Sequence, residues 1–199
     1  MSLAVRNEEA AEHAPLWFKQ PQWGEFTYKD YLGWGDGIRV ELIDGIPHMM
    51  AGASQWHQRM SRNLVVQLAN FLHGKKCEVF YAPFDVRLFP QEDLSDRIVV
   101  QPDIFVVCDK SKLDGKACLG PPDFIIEILS AGSESIDLGA KFRLYEKAGV
   151  KEYWVVGQNF VNKYNFSQQP YSEKVITVGP ACKIPVDSLE GCILEVQSQ

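Results

Sequence analysis

No apolar stretch in this chain approaches the roughly 18–20 consecutive residues that a bilayer-spanning helix needs, so the sequence predicts no membrane partner. Met1 to Glu12 lack the apolar core of a secretory signal, which points to a cytoplasmic protein. Cysteine is sparse. The five thiols (Cys77, Cys108, Cys118, Cys182 and Cys192) are odd in number and form no C-x-x-C pair. That pattern predicts reduced thiols and argues against a disulfide framework or a zinc site. Basic charge is also short, with a formal net charge of −6. A protein whose main task is clasping a nucleic-acid backbone is usually basic. Any nucleic-acid role here must therefore rest on a local patch, a metal or a modest affinity. There is no low-complexity tract, no internal repeat, and no reader element such as a basic helix or zinc finger.

What remains is ordinary globular composition: 46% hydrophobic and 23% charged over 199 residues, enough for one domain with a real core. Residues 1–22 read as an N-terminal arm and 23–199 as a single domain. Thr27-Tyr-Lys-Asp30 resembles a helix cap. In Arg39-Val-Glu-Leu-Ile-Asp44-Gly45-Ile-Pro-His-Met-Met, the Asp44-Gly45 step suits the positive-φ turn of a hairpin. Ser54 can cap a long helix with Trp56, Met60, Leu64, Leu68, Phe71 and Leu72 on its apolar face. Three strands follow, Cys77 to Phe89, Ile98 to Cys108 and Asp123 to Leu129, with a Gly/Lys/Pro-rich loop from Asp109 to Pro122 before the last. A helix from about Asp137 to Ala148 stops at Gly149. Glu152-Tyr-Trp-Val-Val is another strand, and Val161–Phe166 with Lys174–Val178 suggest a C-terminal hairpin. The expected fold is mixed α+β (α/β): a central mixed β-sheet flanked by helices, with an N-terminal β-hairpin and C-terminal β additions.

Two acids sit in runs that otherwise read as dry strand: Asp103 in Val-Val-Gln-Pro-Asp-Ile-Phe-Val-Val and Glu127 in Asp-Phe-Ile-Ile-Glu-Ile-Leu. Burying an ionised carboxylate costs several kcal/mol or more unless a cation or a hydrogen-bond network holds it. Two on consecutive strands suggest a site. On the next helix Leu138, Lys141, Phe142 and Tyr145 fall at i, i+3, i+4 and i+7, so Lys141 faces inward with that stripe. Two readings of Lys141 stand. It pairs locally with Asp137 at i, i+4, or it joins the acids in a carboxylate–carboxylate–lysine constellation of the kind that holds Mg²⁺ or Mn²⁺ and stabilises charge on a phosphate.

Glu41 alternates with Val40 and Leu42, as a solvated strand carboxylate would. His57 opens the long helix on the face of Leu64, Leu68 and Phe71, where a lone histidine is ordinarily a core or capping residue. Asp85 and Arg87 alternate with apolar neighbours as on the polar face of a half-buried strand. Lys110, Lys112 and Lys116 read as a solvated loop.

Val-Gln-Pro-Asp103-Ile-Phe-Val-Val, Pro-Pro-Asp-Phe-Ile-Ile-Glu127-Ile-Leu-Ser and Asp137-Leu-Gly-Ala-Lys141-Phe-Arg-Leu-Tyr145-Glu-Lys-Ala-Gly149-Val-Lys-Glu152-Tyr-Trp-Val-Val together resemble the Uma2 family, abundant in cyanobacteria. The stretch around Glu41 and the helix with His57 share that resemblance, which runs from about Phe26 to the C-terminus. It implies a restriction-endonuclease-like core of the PD-(D/E)XK superfamily, with element order α-β-β-β-α-β. It also implies that Asp103 and Glu127, with the backbone carbonyl of Ile128, bind Mg²⁺ or Mn²⁺ for hydrolysis of nucleic-acid phosphodiesters, DNA being the first expectation. The superfamily lysine normally stands two residues after the second acid. Here that position is Leu129, and Lys141 is the substitute the resemblance allows. Glu41 or His57 would complete the set, and self-association follows from the many dimeric nucleases of this fold. Two rivals stay open: a nuclease-like fold kept as a non-catalytic binding or regulatory module, and a metal-dependent hydrolase of another substrate.

Overall fold

The chain reverses sharply at Asp44 and Gly45, whose φ angles of 53° and 77° are those of the hairpin turn expected from their sequence. The structure is a computed structural model that describes residues 25–34, 39–50, 52–130, 136–168 and 170–198. The expected arm over residues 1–22 lies outside them. The residues fall into two compact units: Met1–Met50 with Gln91–Val99, and Ala51–Pro90 with Val100–Gln199. Among the described residues no helix is long and apolar enough to cross a membrane.

The first unit begins with α1 (Tyr28–Tyr31). The Asp30 carboxylate accepts from the Thr27 N–H at 2.9 Å and the Thr27 hydroxyl at 2.7 Å. β1 (Val40–Ile43) and β2 (Ile46–Met49) form the antiparallel hairpin, with Glu41 opposite His48. Leu42 pairs across the ladder with Val99 of β5 (Val99–Val100). These two residues and Tyr28 make a small core, rimmed by Phe26, Tyr31 and Trp34.

The second unit is built on α2 (Gln55–Leu72), whose Ser54 cap accepts the His57 N–H at 3.2 Å. Its strands are β3 (Glu78–Tyr81), β4 (Asp85–Arg87), β6 (Ile104–Val107), β7 (Ala117–Leu119), β8 (Phe124–Ile128), β9 (Glu152–Val156), β10 (Phe160–Asn165), β11 (Ser172–Thr177), β12 (Cys182–Pro185) and β13 (Ile193–Val196). Six of them form one sheet in the order β11-β10-β9-β8-β6-β3. All its neighbours pair antiparallel except β8 and β9. Parallel neighbours need a crossover, here a π-helical segment (Ile136–Lys141) running into α3 (Phe142–Ala148). Gly149, at φ 91°, closes α3 in the left-handed conformation that glycine adopts without steric cost.

Alternation along the strands divides the sheet into two faces. Ile104, Val106, Phe124, Ile126, Ile128, Trp154 and Val156 join the core with Trp56, Met60, Leu64, Leu68 and Leu72 of α2. Burial of a leucine such as Leu64 or Leu68 contributes about 1.5–3 kcal/mol, so this stripe anchors α2 against the strands. Residues 125 and 127 of β8 point the other way.

Three features differ from the sequence reading. The long strands expected over 77–89 and 98–108 are each interrupted, the first between Tyr81 and Asp85 and the second before Ile104. The loop from Asp109 to Pro122 holds β7, which pairs parallel with β4 through Asp85 and Ala117. Cys77 and Cys108, expected as thiols, form a disulfide with Cα atoms 3.9 Å apart. The β3/β6 register explains it: Glu78 lies opposite Val107, so the next pair outward is Cys77 and Cys108.

Candidate active site

The β6/β8 register brings the two strand acids together. Ile104 lies opposite Ile126 in that antiparallel ladder, so one step further Asp103 meets Glu127. Main-chain donors tie them: the Asp103 N–H donates to Glu127 Oε2 at 3.2 Å and the Ile128 N–H to Asp103 Oδ2 at 2.8 Å. Outside this pair, Val155 lies beside Glu127 on β9, and the Ala82 N–H donates to the Asp103 carbonyl at 3.1 Å. Like charges directly opposed on a sheet repel, and they do so more strongly where water is scarce. The arrangement therefore calls for a cation.

Lys141 supplies one. Its ammonium lies 2.9 Å from Glu127 Oε1 and 3.6 Å from Asp137 Oδ1. The lysine makes the local i, i+4 pair and also reaches the strand acid. The wide π-helical turn that carries Asp137 and Lys141 is of a type frequent at functional sites. All three side chains are buried. Breaking such a pair is costlier than forming it is favourable, because the surviving charge stays desolvated.

Tyr145 belongs to the same constellation and was missed as a site residue. It is fully buried, and its hydroxyl donates to Glu127 Oε1 at 2.8 Å. Oε1 thus receives an ammonium and a phenol, while Oε2 faces Asp103. The signal was present in the sequence: Tyr145 stands at i+4 from Lys141 on the stripe read there only as an inward face. Tyr153 backs Tyr145 edge-to-face, with ring centroids 5.0 Å apart, and its hydroxyl donates to the Asp137 carbonyl at 3.0 Å. Burial pushes the Tyr153 phenol well above its usual pKa, and the charges of Glu127 and Asp137 add to the effect. It remains a neutral donor.

On the other side His57 reaches Asp103, with Nε2 3.0 Å from Oδ2. His57 is buried at the first turn of α2. Its main-chain N–H takes part in the helix cap, and its ring contacts the acid.

Four of the five catalytic candidates, Asp103, Glu127, Lys141 and His57, are thus one connected group. Glu41 belongs to the first unit. The expectation of a solvated carboxylate there is corrected, since Glu41 is buried in a strand with no exposed position. The Ile128 position is fixed by its ladder with Val156 and by its N–H on Asp103. Leu129 donates its N–H to the Val156 carbonyl at 2.9 Å, and at that position there is no ammonium to offer. Arg87 is buried as well, against the polar-face reading, and Lys110 pairs with Glu78.

The oxygen donors suit a hard divalent cation. Magnesium is commonly held by one or two carboxylates together with water and substrate phosphate, not by a full protein cage. Asp103 fits that role. Its Oδ2 takes the His57 and Ile128 bonds, and its Oδ1 carries no hydrogen bond among the described residues. Among those residues no three His, Cys, Asp or Glu side chains gather into a metal-holding cluster. Asp103 and Glu127 are the strand carboxylates this group brings together.

The profile of the Uma2 family, described as "Putative restriction endonuclease", matches residues 27–197. A Synechocystis sp. protein (strain ATCC 27184 / PCC 6803 / Kazusa), "Uncharacterized protein slr1290", is 29% identical over 119 residues. The match takes in 59% of this chain and 60% of the relative, so the chain spans about three fifths of that relative's length. A crystal structure from Anabaena variabilis ATCC 29413, described as "a putative nuclease belonging to DUF820", superposes with a TM-score of 0.64 at 18% identity. It covers 82% of this chain and 90% of its own, a likeness of fold.

Proposed function

The chain belongs to the Uma2 family, and from that membership together with the site's geometry we propose that it is a divalent-metal-dependent endonuclease hydrolysing nucleic-acid phosphodiester bonds. The descriptions carried by the family and by the Anabaena protein support a nuclease. The observation that carries the reading is the opposed pair of Asp103 and Glu127, with the Lys141 ammonium on Glu127 Oε1.

In this reading Asp103 and Glu127, with the Ile128 carbonyl, hold Mg²⁺ or Mn²⁺, which polarises the phosphodiester and acidifies an attacking water. The chain's own residues do the rest. Asp103 offers Oδ1 because Oδ2 is occupied by His57 and the Ile128 N–H. Glu127 presents Oε2 because Lys141 and Tyr145 fix Oε1. Lys141 places its ammonium 2.9 Å from Glu127 and is suited to charge that builds on the phosphate, the task of the lysine absent at Leu129. His57 orients Asp103.

One observation favours a second reading, a nuclease fold used for binding without turnover: the Lys141 ammonium is already committed to two carboxylates. A cleavage screen on single- and double-stranded DNA and on RNA, with Mn²⁺ or Mg²⁺, decides between them. Cleavage lost in Asp103→Asn and Glu127→Gln supports the enzyme. Nucleic-acid binding that persists without any cleavage, metal present, supports the module. Cleavage that survives both substitutions rules this site out.

A further inference from the structure

The main chain of Asp103 sits at one end of a short ladder whose other end is closed by a covalent bond. β3 forms an edge of the six-stranded sheet, with β6 as its neighbour. Their ladder runs from Glu78 opposite Val107 to Tyr81 opposite Ile104. Just beyond the first pair lies the Cys77–Cys108 disulfide. Just beyond the last, the Ala82 N–H donates to the Asp103 carbonyl at 3.1 Å.

Other contacts hold β3 only in part. None of its four residues is fully buried. Val79 packs against the core from one face, and Phe80 stacks on Phe84 and Phe105 from the other. At the disulfide end the Lys110 and Glu78 side chains of the ion pair are 56% and 45% exposed, and such surface pairs contribute little. An edge segment with few buried contacts opens locally at low cost, so a cross-link there governs how often this ladder opens. β8, which carries Glu127, is buried along its whole length and paired on both sides.

The link is also within reach of a reductant. Cys77 and Cys108 are half-buried, whereas the thiols Cys118 and Cys192 are buried. Thiol–disulfide exchange needs access to one sulfur. A dithiol reductant attacks that sulfur as its thiolate and forms a mixed disulfide, which its second thiolate then resolves. Two electrons and two protons pass to Cys77 and Cys108, which become thiols, and the reductant leaves as its own disulfide.

We propose that the Cys77–Cys108 disulfide is a redox-sensitive latch. Closed, it holds β3 on β6 and so steadies the Asp103 main chain; reduced, it lets that end of the ladder loosen. Its consequence for activity is regulation of the proposed nuclease site and rests on that reading.

The test is hydrogen exchange, read by mass spectrometry, on the whole protein in three states: oxidised, reduced with dithiothreitol and desalted, and re-oxidised with oxidised glutathione. Amides from Glu78 to Ala82 are expected to exchange about tenfold or more faster after reduction, with β8 unchanged and re-oxidation restoring protection. Calorimetry on the same samples should show Mn²⁺ affinity falling roughly tenfold on reduction. Cys77→Ser should match the reduced protein with or without dithiothreitol. Equal exchange over Glu78–Ala82 in both states overturns the latch, as does peptide mapping that finds Cys77 and Cys108 unpaired in the oxidised protein. Exchange that quickens along the whole chain marks a structural staple and overturns it too. In these three cases the nuclease reading stands. Exchange that responds as expected, in an oxidised protein that neither binds Mn²⁺ nor cleaves nucleic acid, supports the latch on β3 and removes the nuclease reading.

Discussion

Asp103 and Glu127 face each other across the β6/β8 ladder, joined by the Asp103 N–H on Glu127 Oε2 at 3.2 Å. They do not have equal surroundings. The Asp103 side chain is 16% exposed and touches His57, whereas Glu127 is 4% exposed and carries Lys141 and Tyr145. Neutralising either acid removes the repulsion between them. Asp103→Asn keeps one amide oxygen that can accept the Ile128 N–H and meet the His57 ring, so its stability should stay within about 1 kcal/mol of native. Glu127→Gln removes the negative charge 2.9 Å from the buried Lys141 ammonium, with Asp137 further off at 3.6 Å, and should cost about 3–5 kcal/mol. Urea unfolding of the two variants measures this, and equal costs would refute the asymmetry.

Lys141 should depend on the same pair from the other side. Lys141→Met removes the ammonium from beside the buried carboxylates Glu127 and Asp137 and is expected to destabilise by about 3–5 kcal/mol. Combining it with Glu127→Gln also removes one of the two negative charges. The double variant should then be more stable than the sum of the singles by about 0.5–3 kcal/mol. Strict additivity in denaturant titrations would mean that the 2.9 Å contact carries no coupling.

Tyr145→Phe removes one hydroxyl and keeps the ring against Tyr153. A hydrogen bond to a charged group is worth about 1.5–3 kcal/mol, so that is the expected loss of stability. The hydroxyl also fixes which Glu127 oxygen faces Asp103, so under the proposed metal-dependent function Mn²⁺ affinity should fall about 10–100-fold, the effect of losing a group that orients a metal ligand. Calorimetry on the native and variant proteins reads it. An unchanged affinity alongside lowered stability would reduce Tyr145 to a packing residue.

The residues that carried charge into apolar surroundings were the legible part of the site. Asp103 and Glu127 stood out because isolated acids in strand-like runs need a partner, and Lys141 because it shared a stripe with Leu138 and Phe142. Tyr145 was hidden, since a tyrosine on an inward face is ordinarily packing and only the tertiary contact reveals its hydroxyl bond. Glu41 misled because alternation gives the face of a strand and says nothing of what covers that face. The long helix, the hairpin turn at Asp44 and Gly45, and the stop at Gly149 were readable from local chemistry. The three-residue β7 and the β12/β13 hairpin were not, being too short to show a period. The Cys77–Cys108 link escaped because 31 residues separate the two cysteines, and only the strand register makes them neighbours.

The remaining cysteines give a test of the core that is independent of catalysis. Cys118 and Cys192 are buried, and loss of water pushes both thiols up to about 11, from an ordinary value near 9. Cys182 is only partly buried. The thiolate is the reactive form, so at pH 8 a disulfide reagent should label Cys182 first, with Cys118 and Cys192 reacting only on unfolding. Peptide mapping identifies the order. The sign of the pH effect follows from the direction of the shift. Folded thiols that titrate later than unfolded ones leave stability whole below about pH 9 and erode it between about 9 and 11, as the unfolded chain gains the charge first. Urea midpoints that stay flat across that window, or rapid labelling of Cys118 in the native protein, would show that this part of the core is open to water.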